Sequence, residues 1–473
     1  MKLICRPFVL FALFMTCSYV QSHSQESTAF LRYASDDTLS TLQHLGTSCL
    51  SIDSAQFNRI TVDQEGIPYI IYSDLGESKR GVVQFYDGEN WQYAGARTIT
   101  PAGTNYTDIS SSPNGHIYIV YNDNIVGGKA TVQRWNGKDW KLVGLPGISE
   151  GNTSFNSIAV APDSSIFIAY KDEGKSDKVI VQKWNGNNWF TLGSTEGISE
   201  GACSWIDITV DENNIPYICY QDYRQEGKIV VKKWNDITWT TLEQPTLSRG
   251  EASYGRILAK KGILYVGYRD AGLNNQLIIQ QWNGQQWSVL GNRAVSTASA
   301  SYFGMDMTSN NELFVAYTDF GKGGLLSVKK WTEKGWEQII HDSRSYGKVS
   351  YTDIAMSNDI PLILYSSEAC KQAVSVLSYT SPQNHLPIVT PELDAHTTLQ
   401  NNQIRVSFNQ SLQTPFDVRL ISLDGKLIYQ QTHQMTEEDQ TDLVIPTFII
   451  PWKLYILNIA TSEKIFSMKI LKQ

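Results

Sequence analysis

Two side-chain series in this 473-residue sequence combine useful chemistry with a fixed step. The first is aromatic: Phe57, Tyr106, Phe155, Trp205, Tyr254, Tyr302 and Tyr351. The second is acidic: Asp74, Asp123, Asp172, Asp222, Asp270 and Asp319, with Ser367 in the seventh place. Aromatic faces stack on sugar rings and carboxylates accept hydrogen bonds from hydroxyls, so together the series could hold a glycan. Several equivalent weak sites would then gain by avidity. Recurrence has a structural meaning too. An aromatic can wedge between repeats, and an Asp can cap loop amides or pair with the Lys at 129, 178 or 228. Because a catalytic site needs one special unit, repetition weighs toward the structural account.

Departures from the repeat are more informative. Arg224 and Arg269 are unusual at their positions, and with Asp222 and Tyr223 they form the best polar-aromatic cluster in the sequence. The candidate ligand contacts are therefore Tyr106, Trp205, Tyr254, Tyr302, Tyr351, Asp222, Tyr223, Arg224 and Arg269. Arg59 and Arg256, with Asp108, Asp207 and Asp353, fall where they could line a channel. A polysaccharide lyase needs a base and a carboxylate neutraliser, commonly Tyr or His with Arg. Such residues exist here, but nothing in the sequence gathers them. His44, His116 and His341 make no metal set, and no HExxH, CxxC, EF-hand, GxSxG, Walker or dinucleotide motif occurs. No catalytic residue, metal or cofactor is assigned.

The elements that must position these residues repeat as well. Tyr72, Tyr121, Tyr170, Tyr220, Tyr268, Tyr317 and Tyr365 are 48–50 residues apart. Tyr86, Trp135, Trp184, Trp234, Trp282, Trp331 and Tyr379 keep the same step. Hairpins such as WNGKDW and WNGNNW start at this second landmark and absorb eleven of the 13 Trp. Each unit reads as four short strands, with Asn-Gly marking the last hairpin because both residues tolerate positive φ. The fold class is all-β: seven units of this length predict a seven-bladed β-propeller with a period near that of kelch repeats. The Asn-Gly-x-x-Trp hairpin loosely resembles the Asp-box of sialidases, itself a fold element remote from catalysis.

The seventh unit lacks a fourth strand, and Leu42–Gly46 precedes Phe57 by the interval that Trp140–Gly144 precedes Phe155. Residues 42–46 are thus predicted to supply the missing outer strand, removing two open sheet edges. Cys49 and Cys370 would then lie in loops on one face, the top, and are predicted to bond. Cys203 and Cys219 flank one hairpin, where either pairing or two free thiols is open.

Composition fits an exported binding protein. Hydrophobic residues make up 41%, enough for a sizeable core, and a net charge of −8 gives no field for gripping phosphate backbones. No nucleic-acid partner and no transmembrane segment are expected. Met1–Lys2 and Arg6, the apolar run Phe8–Phe14 and the polar stretch to Gln25 have the layout of a secretory signal peptide, residues 1–24. Lipidation at Cys17 is the alternative. The propeller is assigned to 25–386 and a small β-sandwich to 387–473. In that tail, VRLISLDGKLIYQQ (418–431), LYILNI (454–459) and the final KIFSMKILKQ resemble the sorting domain of type IX secretion cargo in Bacteroidetes. One departure is Pro451–Trp452–Lys453, where a Gly is usual. The resemblance implies the type IX machinery as partner and a secreted or outer-surface location.

The expected function is non-catalytic binding of a glycan or surface protein, with glycans favoured. The alternative is a carbohydrate-active enzyme, a polysaccharide lyase or glycoside hydrolase, with its site on the top face. A protein-binding scaffold or adhesin is the second alternative.

Overall fold

The computed structural model describes residues 41–242, 247–340 and 346–380, then seven strands between 395 and 471. The predicted signal peptide, His341, the boundary near 387 and Pro451–Lys453 lie outside the described residues. Residues 41–380 form seven four-stranded antiparallel sheets arranged as the blades of a propeller. Blade one shows the pattern: inner strand Ala55–Val62, then Pro68–Asp74, Arg80–Tyr86 and outer strand Trp91–Tyr93.

Burial explains the sequence of each strand. Every residue of Pro68–Asp74 is buried, because a second strand packs against blades on both of its faces. The landmark tyrosines are among the largest fully buried side chains. Buried hydroxyls need partners, and in blades one and two Gln supplies them: Tyr72 Oη lies 3.1 Å from Gln84 Oε1, and Gln133 Nε2 donates to Tyr121 Oη at 2.7 Å. The Trp hairpins are stitches between blades. In blade two Trp135 pairs with Trp140, so the turn has four residues, Asn136–Asp139. Only Gly137 takes positive φ, while the Asn136 side chain accepts from the Lys138 and Asp139 amides.

The second Trp of each hairpin reaches the preceding blade. Trp91, Trp140, Trp189, Trp239 and Trp287 donate Nε1–H to the carbonyls of Leu45, Ala94, Val143, Leu192 and Leu242, at 2.7–3.1 Å. In blade six the Trp336 Nε1 is buried and has no acceptor. Blade five departs there, its outer strand running into a short 3₁₀ turn, Leu290–Asn292. Gly291, at φ +75, lies so close under the Trp331 ring that an added Cβ would sit 2.6 Å from it.

The circle closes as the sequence indicated, through Thr41–His44 pairing with the third strand of blade seven, Ala373–Thr380. The strand begins one residue earlier and ends two earlier than expected. Beyond it Leu45, Leu50 and Ala55 continue donating to Val376, Val374 and Gln372 carbonyls. Cys49 and Cys370 are disulfide-bonded, Cα atoms 5.4 Å apart and 321 positions apart in sequence. Cys203 and Cys219 are free and buried. Burial pushes both thiols above their ordinary range.

In the tail, strands Ala395–Gln400, Gln403–Phe408 and Asp442–Pro446 form one sheet. Leu427–His433, Phe416–Ser422, Leu454–Thr461 and Ile465–Leu471 form another, in that order. Among the described residues no helix is long and apolar enough to cross a membrane.

Candidate functional site

The aromatic series converges on the propeller axis. In six blades the inner strand slips register at the aromatic, for example between Ser253 and Arg256, so a β-bulge holds each side chain off the regular ladder. All seven residues take left-handed backbone, with φ from +43° at Tyr302 to +56° at Phe57 and Tyr254. Glycine suits that conformation. A bulky side chain there costs on the order of 1–3 kcal/mol, yet no blade uses glycine.

The gain is a closed ring. Successive centroids are 4.8 Å (Phe57–Tyr106), 5.0 Å (Tyr106–Phe155), 5.1 Å (Phe155–Trp205) and 4.2 Å (Trp205–Tyr254) apart. The circle finishes through Tyr254–Tyr302 at 5.1 Å, Tyr302–Tyr351 at 4.7 Å and Tyr351–Phe57 at 5.7 Å. Every ring is half-buried, touching both neighbours and still facing open space. They wall a pocket of ≈ 310 Å³ that also takes in Thr107, Asn156, Thr352, Arg59 and Arg256. Asn156 and Thr352 are at most 4% exposed, and neither the Asn156 amide nor the Thr352 hydroxyl has a partner. Unpaired buried polar atoms are uncommon in folded chains.

A charged tier lies two residues further along each inner strand: Arg59, Asp108, Ser157, Asp207, Arg256, Gly304 and Asp353. All but Gly304 line a second cavity of ≈ 240 Å³. Most of this tier binds blade to blade. Asp353, Asp108, Ser157 and Asp207 accept the backbone amides of Ile60, Ile158, Ile208 and Ile257 at 2.8–3.3 Å. Arginine cannot accept, so Arg59 and Arg256 break that rule. Arg59 Nε instead pairs with Asp108 at 3.2 Å. Arg256 Nη1 approaches Asp207 at 3.5 Å, and its Nε donates to the Phe303 carbonyl at 3.3 Å.

The tier is electrostatically coupled. Burial raises the pKa of Asp207 and of Asp353, with the arginines pulling the other way. Burial, then repulsion from Arg256, lowers Arg59; burial also opposes charge on Arg256, but Asp207, Asp353 and Asp108 more than offset it. Two arginines against three aspartates leave a formal charge of −1.

The remaining sequence candidates divide. Arg269 joins the ring, its guanidinium 5.0 Å above Tyr254 and its Nε bonded to Ser253 Oγ at 2.8 Å. Tyr223 is half exposed and its hydroxyl is 3.2 Å from Ser204 Oγ, beside Trp205. Asp222 and Arg224 do not line the pocket. Asp222 is fully buried and accepts amides of Glu200 at 3.1 Å and Arg224 at 2.9 Å, capping a 3₁₀ turn, Tyr223–Gln225. The other five repeated aspartates cap the same turn in their blades, as Asp270 does with Arg249, Gly250 and Gly272 amides at 2.9 Å. Their carboxylates are occupied by backbone rather than offered to a ligand. The expected lysine pairing is not the arrangement in blade four, where Lys228 bonds Glu226 at 3.1 Å.

Phe57 and Phe155 complete the ring although their blades showed nothing unusual in sequence. Asn156 and Thr352 were also missed. The available signal was positional: each stands one residue after a ring aromatic, where Ile206, Gly255 and Phe303 carry no side-chain polar atom.

No family model matches the chain, and no curated protein matches it. Among solved structures it is similar to a mutant Aleuria aurantia lectin in complex with Fucα1-6GlcNAc, at 14% identity and TM-score 0.41, covering 60% of this chain and 94% of that one. It is similar to an ulvan lyase of polysaccharide lyase family PL25, at 12% identity and TM-score 0.45, covering 70% and 94%. It is also similar to a protein of unknown function from Dyadobacter fermentans, at 10% identity and TM-score 0.43, covering 72% and 98%.

Proposed function

We propose that the protein binds a glycan in the axial aromatic mouth and does not turn it over. The observation carrying this is the closed ring of seven aromatics, each kept at positive φ despite the strain. Blade-to-blade packing alone does not call for large aromatic rings facing open space; stacking on a flat, weakly polar ligand does. The series converges on one site, in place of the several equivalent clefts expected from its repetition. A volume of ≈ 310 Å³ is at the lower end of the range for small-molecule sites, about 300–1,000 Å³, which suits the end of a sugar chain.

The acid–base groups present fit binding better than catalysis. Burial raises the phenols of Tyr254, Tyr302 and Tyr351, away from the depressed value a general base requires. The carboxylates beneath already hold amides and guanidinium groups. The disulfide supports a site outside the cytoplasm, since such bonds persist in oxidising compartments, and the signal-like start and sorting-like tail fit export.

The test is a glycan array on the mature chain, followed by calorimetry and product assays on any ligand found. Trp205→Ala is expected to weaken binding about tenfold, a loss of about 1.4 kcal/mol from one stacking face. Silence across the array, or full affinity in that variant, would overturn the proposal. Product release would replace it with the lyase or hydrolase alternative.

A further inference from the structure

The chemistry of the ligand can be narrowed from the tier beneath the ring, given the glycan reading above. At this repeat position the structural task is to accept the next blade's amide, and four of the seven residues perform it. Arg59 and Arg256 cannot, so their blades give up that bond. Among the described residues they are also the only charged ones that line both cavities; the three aspartates line the lower cavity alone. Arg59 uses Nε on Asp108 and Arg256 uses Nε and Nη1 on the protein, while no hydrogen bond from the described residues occupies Arg59 Nη1 or Nη2 or Arg256 Nη2. Asn156 and Thr352 bring unpartnered polar groups to the same pocket.

We infer that the sugar held in the mouth carries a carboxylate or sulfate ester, bound at the pocket floor by the free guanidinium N–H groups of Arg59 and Arg256. The aromatic ring takes the sugar face, and Asn156 and Thr352 take its hydroxyls. The tier's formal charge of −1 argues against an anion at first sight. Its carboxylates, however, sit below the arginines and are already engaged with amides and guanidinium groups. The two guanidinium groups repel each other, and a bridging anion relieves that repulsion. A charge-assisted pair in a half-enclosed pocket is also stronger than its neutral counterpart.

The experiment uses calorimetry on the mature chain with matched pairs: oligogalacturonates against their methyl esters, and sulfated oligosaccharides against their desulfated forms. At least one anionic member is expected to bind about ten- to a hundredfold tighter than its neutral match. Arg59→Gln and Arg256→Gln should each close most of that gap, lowering the anionic member's affinity far more than that of its neutral match. Retained neutral binding certifies that the variant site is folded. Trp205→Ala should weaken both members alike. Equal affinities within every pair, or preference for the neutral members, would overturn the anion inference and leave the glycan reading standing. A persisting gap in both arginine variants would overturn the residue assignment. Failure of every member, charged and neutral, would remove both readings together.

Discussion

Removing the Cys49–Cys370 bond should loosen the circle at the point where the chain closes on itself. The bond spans 321 positions, and the chain-entropy relation gives about 5–6 kcal/mol for a loop of that size. Residual structure in the unfolded chain lowers real values, so about 2–5 kcal/mol is the working range. At roughly 2.1 cal/mol/K per residue, a propeller of roughly 340 residues unfolds with about 0.7 kcal/mol/K, so Tm should fall by about 3–7 °C. The variants are Cys49→Ser, Cys370→Ser and the double, compared by scanning calorimetry with and without reductant. All three should match one another, and reduced wild type should join them. An unchanged Tm would refute the clasp. So would a deficit of the variants against wild type that persists undiminished in reducing buffer, since that would trace the loss to the serine side chain. The adjoining backbone bonds from Leu45, Leu50 and Ala55 remain in every variant, so the closing strand should stay paired at ambient temperature.

Two further outcomes follow from the site and the stitches. Burial raises the pKa of Asp207 and Asp353, so the folded state takes up those protons at higher pH than the unfolded chain. Their contribution to stability is fullest below the ordinary carboxylate range and declines as pH rises through the raised values. Protonating both moves the tier from −1 to +1, so calorimetry should show a sulfated ligand binding more tightly as pH falls through that window; flat affinity would contradict the arrangement of Arg59, Arg256 and Asp108 around them. Separately, Trp140→Phe removes a hydrogen bond and Trp336→Phe removes an unpaired donor, so denaturant melts should show Trp140→Phe the more destabilising by about 1 kcal/mol. Equal losses would mean the indole bond to Ala94 contributes nothing.

Much of the architecture was legible because the repeat multiplies a weak signal. A single run such as IFIAYKD is ambiguous, but seven at one step fix strand, blade and closure together. The disulfide followed from topology alone. The hairpin strands fell where the paired tryptophans put them, but positive φ was expected to suit both Asn and Gly, and in the blade-two turn only the Gly takes it. The site was less legible. The aspartates had the right chemistry for a ligand, yet backbone amides claim their oxygens, and nothing in the sequence distinguishes an occupied carboxylate from a free one. The aromatics were recognised, but their direction depends on a bulge and a positive φ that no residue type there announces. Arg59 and Arg256 were visible as channel residues; their significance came only from the amide-accepting role their neighbours share.

The unanswered indole of Trp336 has a mechanical consequence. A ring whose sectors are fastened alike has no favoured point of failure, whereas this one is short of a fastener between its fifth and sixth sectors. The Leu290–Asn292 turn occupies the place from which the missing carbonyl would come. Opening fluctuations of the circle should concentrate at the outer strands of that junction, whose inner strands meet in the Tyr254–Tyr302 contact of the mouth. Whatever enters the axis therefore meets a flank there that yields more readily than the five stitched junctions.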